Sequence, residues 1–521
     1  MSRKFKRSRR DDRIPIPEYF SGKSVFITGG TGFMGKVLIE KLLRSCSGIE
    51  RIYVLMRGKK NKTVEERLQK MLALPAFVKV RRKDDTLLNK VVPLTGDASE
   101  KNLGLSEEDQ KTLFREVSVI YHVAASVRFD DPLKDALLMN TRGTYEILKL
   151  ASQMKYLDCF LYVSTTYCNT HKEVIEEIVY PPPGDWRKLL RLGETLDAHT
   201  LDIYAPKILG QFPNTYTFTK ALAEQACNDF KDTLPIVIFR PSIVIASIIE
   251  PLPGWVDNFN GPVGLLVASG KGIIRTIYGN PKISSDYIPV DLAIKAMIVA
   301  SWNRAISRES PMGVEVFNAS SYAIKNITQE KLTSIAHHAT VEVPLNDIIW
   351  YPTASTTQCK FVYYTCVILL HILPALIIDS ALKLAKKKPI LMKLQRRIFH
   401  ANYALTYFIT KQWSFKNERM FSLADKILEE DTEDFFYKLT DIDDLEYFIT
   451  ASYGAREYLL HEDNIGLPEA KKHQRKMYWV HKATNFTVLV FMIYVAVKLN
   501  AIPFTRNILI TIMNYFIRAF A

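Results

Sequence analysis

The sequence predicts an α/β protein: a doubly wound parallel sheet, then a mainly helical C-terminal region with membrane-associated apolar segments. Three observations carry this. From Ser21 to about Ala300, short β-branched runs alternate with helix-length segments. A glycine-rich turn joins the first of those runs to the first helix. Apolar stretches approaching membrane length are confined to the last third of the chain.

Composition sets the outer bounds. The chain has 521 residues, more than one ordinary domain of about 100–200 residues holds. With 48% hydrophobic and 24% charged residues it has globular proportions, which excludes wholesale disorder. Gly 22 and Pro 24 exclude a collagen-like or low-complexity chain. The cysteines Cys46, Cys159, Cys168, Cys227, Cys359 and Cys366 form no C-x-x-C, so neither a zinc ribbon nor a disulfide scaffold is indicated, and no metal site is expected. Reduced thiols in a cytosol-facing protein are the simpler reading. The net charge of +14 favours an anionic partner. No nucleic-acid recognition motif accompanies it, which leaves a membrane surface or a phosphorylated substrate. Arg3, Lys4, Lys6, Arg7, Arg9 and Arg10 open the chain with no apolar run behind them, so they read as a basic tail or a lipid contact, not a secretory signal.

The strands expected in order are Ser24–Thr28, Ile52–Met56, Val91–Thr95, Val119–Val123, Phe160–Ser164 and Ile236–Phe239. The stretch His171–Thr215, with Pro181-Pro182-Pro183-Gly184, breaks the rhythm and reads as an insertion near strand ends, where such folds bind ligands. Beyond about Thr353 the character changes. Phe361–Ile378 has 18 residues without Asp, Glu, Lys or Arg, interrupted by His371 and Pro374. Seven basic residues follow within Lys383–Arg397. Ala483–Val497 is a second apolar run between Lys482 and Lys498, and Asn507–Ile517 a third. The acidic block Glu429–Asp434 reads as a solvated helix surface.

Two motifs carry chemistry. Thr28-Gly29-Gly30-Thr31-Gly32-Phe33-Met34-Gly35 follows the strand SVFIT and opens the helix KVLIEKLLR. Gly29 permits the tight turn, Gly32 lets backbone approach a pyrophosphate, and Gly35 lets helix pack close to strand. The helix N-terminus favours the anion. The next strand ends in Arg57 and Lys59, where an NAD enzyme usually carries an acid, and a basic residue there suits the 2′-phosphate of NADPH. Asp97, after the third strand, is placed to accept from an adenine amino group. The second motif is Tyr216-Thr217-Phe218-Thr219-Lys220. Residues four apart share a helix face, so the phenol and ammonium can enter one cleft, and the cation is expected to lower the phenol's pKa. The strand FLYVS runs into Thr165 and Thr166, either of whose hydroxyls can polarise a carbonyl.

These residues resemble a known family. TGGTGFMG, YTFTK, Arg240–Val244 (RPSIV) and Asp286–Ala293 (DYIPVDLA) are similar to extended short-chain dehydrogenase/reductases. Val163–Asn169, Val179–Pro183, Asn214–Glu224 and above all Glu250–Leu266 resemble the alcohol-forming fatty acyl-CoA reductases, over roughly Ser21–Leu460. The resemblance implies a Rossmann-type catalytic domain and NADPH-dependent reduction of a fatty acyl-CoA to a primary fatty alcohol. It implies Tyr216 as proton donor, and Lys220 as its partner and a ligand of the nicotinamide ribose. Asn140 would support a proton relay through Lys220. The catalytic hydroxyl is Thr165 or Thr166. A reductase of sterol or isoprenoid carbonyls would use the same Tyr216 and Lys220, and a non-catalytic cofactor-binding membrane protein is the remoter alternative.

The expected division is a basic tail (1–20), an NADP-binding catalytic domain with substrate-binding insertions (21–352), a mainly helical C-terminal reductase domain (353–480) and a membrane anchor (481–521). The expected setting is an intracellular membrane of the ER, peroxisome or lipid droplet. The cluster Lys471–Lys482 and the catalytic domain would then face the cytosol.

Overall fold

The computed structural model describes residues 13–58, 62–260, 262–307, 312–321, 326–438 and 442–498, with Thr511 and Asn514. Among them, seven strands form one sheet: β1 (Ser24–Thr28), β2 (Arg51–Met56), β3 (Val91–Thr95), β4 (Val117–His122), β5 (Cys159–Val163), β6 (Pro235–Pro241) and β7 (Gly313–Ala319). Their order is β7-β6-β5-β4-β1-β2-β3, and every pairing is parallel. The central strands are buried along their whole length, which is why they read as unbroken apolar runs. Pro93 is tolerated because β3 is an edge strand.

Six strands lie within two residues of their expected positions. The seventh, β7, was missed, because GVEVFNA follows the 17-residue helix Val290–Ile306 beyond the last expected strand. It pairs with β6 along its full length, from Gly313↔Pro235 to Ala319↔Pro241. From β1 the chain builds outward first through β2 and β3, then through β4 to β7. That reversal beside β1 opens a crevice at the carboxyl ends of the strands. The glycine turn, Arg57, Asp97 and Thr165 all follow carboxyl ends.

The chain forms two compact units. One comprises Met1–Val244, Ile288–Ala323 and Ser414–Leu439 and holds the sheet. The insertion after β5 contributes two helices, Trp186–Thr195 and Ala198–Leu209, capped by Asp185 and Asp197. Val174–Ile175 pairs in parallel with Ser414–Phe415, so a late segment of the chain is built into this unit. The acidic block is only in part the solvated surface expected: Glu429, Glu430 and Glu433 are exposed, but Asp431 and Asp434 are engaged inward. Asp431 is 2% exposed and accepts the Ile16 N–H at 2.8 Å, and Asp434 accepts from Lys41 Nζ at 3.0 Å and Ser45 Oγ at 2.8 Å. Sequence pattern does not reveal that Lys41 is a buried cation in need of a carboxylate.

The other unit comprises Ile245–Tyr287, Ile324–Trp413 and Thr440–Ala521 and is mainly helical. Within it, the Tyr447 hydroxyl donates to the Ala246 carbonyl at 2.7 Å. Lys360–Leu384 is one 25-residue helix, and among the described residues it alone is long and apolar enough to cross a membrane. It runs through Pro374 because a widened π-turn, Val367–Ile372, precedes the proline and relieves the clash its ring would make. Leu467–Lys498 is a single helix carrying both the basic cluster and the second apolar run. Arg3 to Arg10 and the third apolar run lie outside the described residues, apart from Thr511 and Asn514.

Candidate active site

The glycine turn comes first in the chain. Gly29 has φ +75°, open to glycine at little cost, and a Cβ there would sit 2.6 Å from the Ala124 backbone nitrogen. A Cβ on Gly35 would meet the Gly29 carbonyl oxygen at 2.3 Å, so the helix seats directly on the turn. Gly32 caps the helix Phe33–Ser45 with no side-chain hydrogen bond. The N–H groups of that first turn, Phe33 and Met34 among them, therefore have no side-chain cap and suit an anion. A Cβ on Gly32 would find only the Gly29 oxygen, at 3.2 Å. An open, uncapped helix start on a tight glycine turn fits a dinucleotide pyrophosphate.

Thr28 serves the scaffold. Its hydroxyl lies 2.6 Å from His122 Nδ1, and His122 Nε2 lies 3.0 Å from the Thr144 hydroxyl. The Thr144 hydroxyl donates to the Asn140 carbonyl at 2.7 Å, so its oxygen must accept from Nε2–H. Nδ1 is then bare and accepts from Thr28. Burial, with Lys220 nearby, pushes the His122 pKa down to about 3, so the ring is a neutral link. Sequence reasoning missed His122, which sits at the end of a strand with no motif around it.

Arg57 and Asp97 form an ion pair at 2.8 Å, half exposed on the arginine side. The register Met56↔Thr95 brings these strand ends together. Asp97 also accepts from the Ser99 N–H and hydroxyl, at 2.8 and 2.7 Å. Lys59 lies outside the described residues.

Tyr216 and Lys220 stand on the helix Thr215–Asp229, capped by Asn214, whose side chain accepts the Thr217 N–H at 2.9 Å. The Tyr216 phenol is half-buried, stacks on Phe129 at 5.7 Å and has Thr165 near enough to act on its pKa. Burial raises that pKa more than Thr165 lowers it. This reverses the expected lowering by Lys220. The ammonium is engaged elsewhere, donating to the Val163 carbonyl at 2.6 Å and lying 4.7 Å from the Tyr162 ring centroid. Burial brings the Lys220 pKa down to about 8.

The two threonines differ in surroundings. Thr165 reaches Tyr216 and also accepts the Tyr167 N–H at 3.2 Å. The Thr166 hydroxyl is buried with no hydrogen-bond partner among the described residues. Asn140 lies in a π-turn, Leu137–Arg142. Its amide donates to the Thr219 hydroxyl at 3.0 Å and the Ser126 carbonyl at 3.3 Å, and its oxygen accepts the Ser126 N–H at 2.9 Å. It braces the loop after β4 against the Tyr216 helix and makes no hydrogen bond to Lys220.

Beneath these groups lies a buried network. Glu224 forms a two-point pair with Arg240, Nε to Oε1 at 2.8 Å and Nη2 to Oε2 at 2.7 Å, with the side chains 2% and 0% exposed. Glu224 also accepts from Ser164 Oγ at 2.6 Å and Cys168 Sγ at 3.3 Å. It therefore holds both ends of the segment that carries Thr165 and Thr166. The signal was present: Glu224 follows Lys220 by four, on the face already occupied by Tyr216.

Comparison with known proteins decides what this site belongs to. Two family models, both described as male sterility protein, match residues 27–297 (the NAD-binding part) and 370–462. The chain is 37% identical to fatty acyl-CoA reductase 1 of Xenopus laevis over 481 residues, covering 92% of this chain and 93% of that protein. It is 36% identical to the Homo sapiens protein of the same name over the same shares. The chain belongs to the fatty acyl-CoA reductases. It is an oxidoreductase whose sheet is a nicotinamide-dinucleotide-binding, Rossmann-type fold. Among solved structures, the fold of this fatty acyl-CoA reductase resembles the reductase domain of a nonribosomal peptide synthetase from Mycobacterium tuberculosis. The TM-score is 0.55 at 19% identity, covering 85% of this chain and 92% of that one. The terminal R domain of the myxalamid biosynthetic pathway gives 0.52 at 18% identity, covering 85% and 93%.

Proposed function

We propose that this reductase converts long-chain or very-long-chain acyl-CoA to the primary alcohol at the Thr165–Tyr216–Lys220 site, using NADPH. The Tyr216–Lys220 pair on one helix face, with the Tyr216 phenol near Thr165 and Lys220 on the Val163 carbonyl at the carboxyl end of β5, carries the reading. Thr28, Gly29, Gly32, Phe33, Met34 and Gly35 would hold the pyrophosphate, Arg57 and Lys59 the 2′-phosphate, and Asp97 the adenine. NADPH supplies hydride, once to the thioester and once to the aldehyde.

The chain's own residues manage the oxygen. As charge develops on the carbonyl oxygen, the Thr165 and Tyr216 hydroxyls meet it from one side, already oriented. Tyr216 releases its proton to that oxygen. The Lys220 ammonium, which rests on the Val163 carbonyl in the free protein, would favour the phenolate left behind and bind the nicotinamide ribose. Asn140 keeps the Tyr216 helix in position. CoA leaves when the first adduct collapses, and the aldehyde is reduced at the same groups.

We further propose that the C-terminal region holds the protein on an intracellular membrane, of the ER, peroxisome or lipid droplet, with the catalytic unit facing the cytosol. A membrane supplies the long acyl chain that the site needs.

The test is purified full-length protein with NADPH or NADH and a panel of acyl-CoAs, products identified by mass spectrometry. The expected result is fatty alcohol, free CoA and two NADPH oxidised per alcohol. Absence of alcohol from every chain length, or full activity in Tyr216→Phe, overturns the assignment. Arg57→Ala is expected to raise the NADPH KM about tenfold or more, the loss of a charged hydrogen bond worth roughly 1.5–3 kcal/mol, and to leave NADH unaffected. Equal use of both cofactors by the wild type contradicts the NADPH reading.

A further inference from the structure

The helix Lys360–Leu384 has two unlike faces. Tyr363, Cys366, His371, Ala375 and Asp379 are buried in their own unit. Three of them are tied down there: the Tyr363 hydroxyl accepts from Asn402 Nδ2 at 2.8 Å, His371 Nε2 accepts the Arg275 N–H at 2.9 Å, and Asp379 accepts three N–H groups. Phe361, Tyr364, Ile368, Leu373, Leu376 and Ile377 are 45–75% exposed. Their spacing of three and four residues, with one step of five across the π-turn, puts them in one stripe. A helix that crosses a bilayer alone shows lipid an apolar surface all round. This one shows an apolar stripe on one side and a hydrogen-bonded, buried face on the other.

The charge around the stripe identifies what covers it. From Ile348 to Asn417 the sequence holds ten lysines and arginines and a single acid, a local excess of nine within the chain's +14. That acid, Asp379, is spent on the N–H groups of Ile390, Leu391 and Met392, at 3.1, 3.0 and 2.9 Å. It thereby fixes the turn between this helix and the helix Leu391–Thr410. At that turn Leu384 and Ile390 are 88% and 57% exposed among Lys383, Lys386, Lys387 and Lys388. None of these lysines makes an ion pair among the described residues. Exposed apolar side chains beside unpaired cations suit acyl chains beneath anionic headgroups. A second copy of the same face would bring like charge against like charge.

We propose that Lys360–Leu384 lies in the plane of the membrane, its outer stripe among acyl chains of the near leaflet and its lysine-rich turn on anionic headgroups. The helix docks its unit on the lipid surface and does not span the bilayer. The inference rests on the membrane association proposed above and specifies how this unit meets the lipid.

Two experiments on the full chain test it. Cys359 is exposed and the other cysteines are buried. Cys359 and a Lys386→Cys in a Cys359→Ser background bracket a helix about 40 Å long at 1.5 Å per residue. In sealed microsomes an impermeant maleimide is expected to label both positions without permeabilisation. Labelling of only one end means a span and overturns the proposal. In vesicles of phosphatidylcholine and phosphatidylserine at 7:3, a fluorophore on Ile368→Cys or Ile377→Cys is expected to be quenched at both positions, more by shallow than by deep spin-labelled lipid. Lack of quenching at either position overturns the lipid contact. Carbonate extraction separates the two readings. Protein that stays in the pellet while the stripe is unquenched keeps the membrane association and loses only this helix's part in it. Protein that washes off removes both.

Discussion

Thr165 and Thr166 are neighbours in sequence, yet only the first has its hydroxyl engaged with Tyr216. Thr165→Val is expected to lower kcat about 100-fold, the usual scale for one oriented hydroxyl at a developing oxyanion. Thr166→Val is expected to keep near-wild-type activity and raise unfolding stability by about 1 kcal/mol, because valine replaces a buried hydroxyl without a partner. Parallel kinetics and urea unfolding of the two variants check this, and the reverse pattern would reassign the hydroxyl. Lys220 adds a pH signature. Its pKa of about 8 lies below the ordinary lysine value, so the folded protein gives up a proton that the unfolded chain keeps up to about pH 10.4. The destabilising effect of that burial is full below about pH 8 and fades as pH rises towards 10.4. If the ammonium is the working form, kcat/KM, which reports the free enzyme, falls about tenfold per pH unit above pH 8. A flat profile to pH 9.5 would remove Lys220 from the mechanism.

At the scale of the element, the helix Thr215–Asp229 joins chemistry to structure along one face. Tyr216 points to Thr165, Lys220 to the β5 carbonyl, and Glu224 to Arg240 in β6. Replacing Glu224 by Gln keeps the shape and leaves the Arg240 guanidinium buried without a counter-charge. The expected cost is about 3–5 kcal/mol, the penalty for breaking a buried pair from one side. Chemical denaturation measures it. Activity in the folded fraction is expected to fall as well, since the acceptor shared by Ser164 and Cys168, on either side of Thr165, becomes neutral and weaker. A loss below 1 kcal/mol would show that water or rearrangement satisfies Arg240.

At the scale of the molecule, the sheet unit is completed by a segment that arrives late. Ser414–Phe415 adds a strand beside Val174–Ile175, and Glu177 accepts the Arg419 and Met420 N–H groups at 2.6 and 3.0 Å. Asp434 neutralises Lys41, whose side chain is 2% exposed. A chain ended at residue 352 would keep every strand of the main sheet and lose all of these contacts. It is expected to be insoluble, or to unfold well below the full chain. Asp434→Ala in the full chain isolates one contact and is expected to cost about 1–2 kcal/mol, less than a fully buried pair because the Asp434 side chain is 44% exposed and Lys41 also lies over the Phe435 ring. Wild-type thermal stability in both variants would show that the late segment only rests on the unit.

The sequence by itself determined the parallel α/β fold, the glycine turn, the one-faced Tyr216–Lys220 pair and the family. Each is written in short-range pattern. Strand periodicity, a turn that only glycine tolerates, and residues four apart on a helix are local, and the long Glu250–Leu266 string is contiguous. Tertiary structure alone decided the features that depend on partners far along the chain. The strand β7, 78 residues beyond its partners in β6 by the pairing Gly313↔Pro235 to Ala319↔Pro241, was such a case, as its place is set by the strand beside it. So were two carboxylates of the acidic block, Asp431 and Asp434, which are drawn inward by the Ile16 N–H and Lys41. The phenol pKa went up instead of down because burial dominates it, while Lys220 turned to the Val163 carbonyl, 57 residues away in sequence. Charges and hydroxyls are read easily from a sequence, but what each one faces is set by burial. In a low-dielectric interior every polar group must find a partner wherever the fold supplies one.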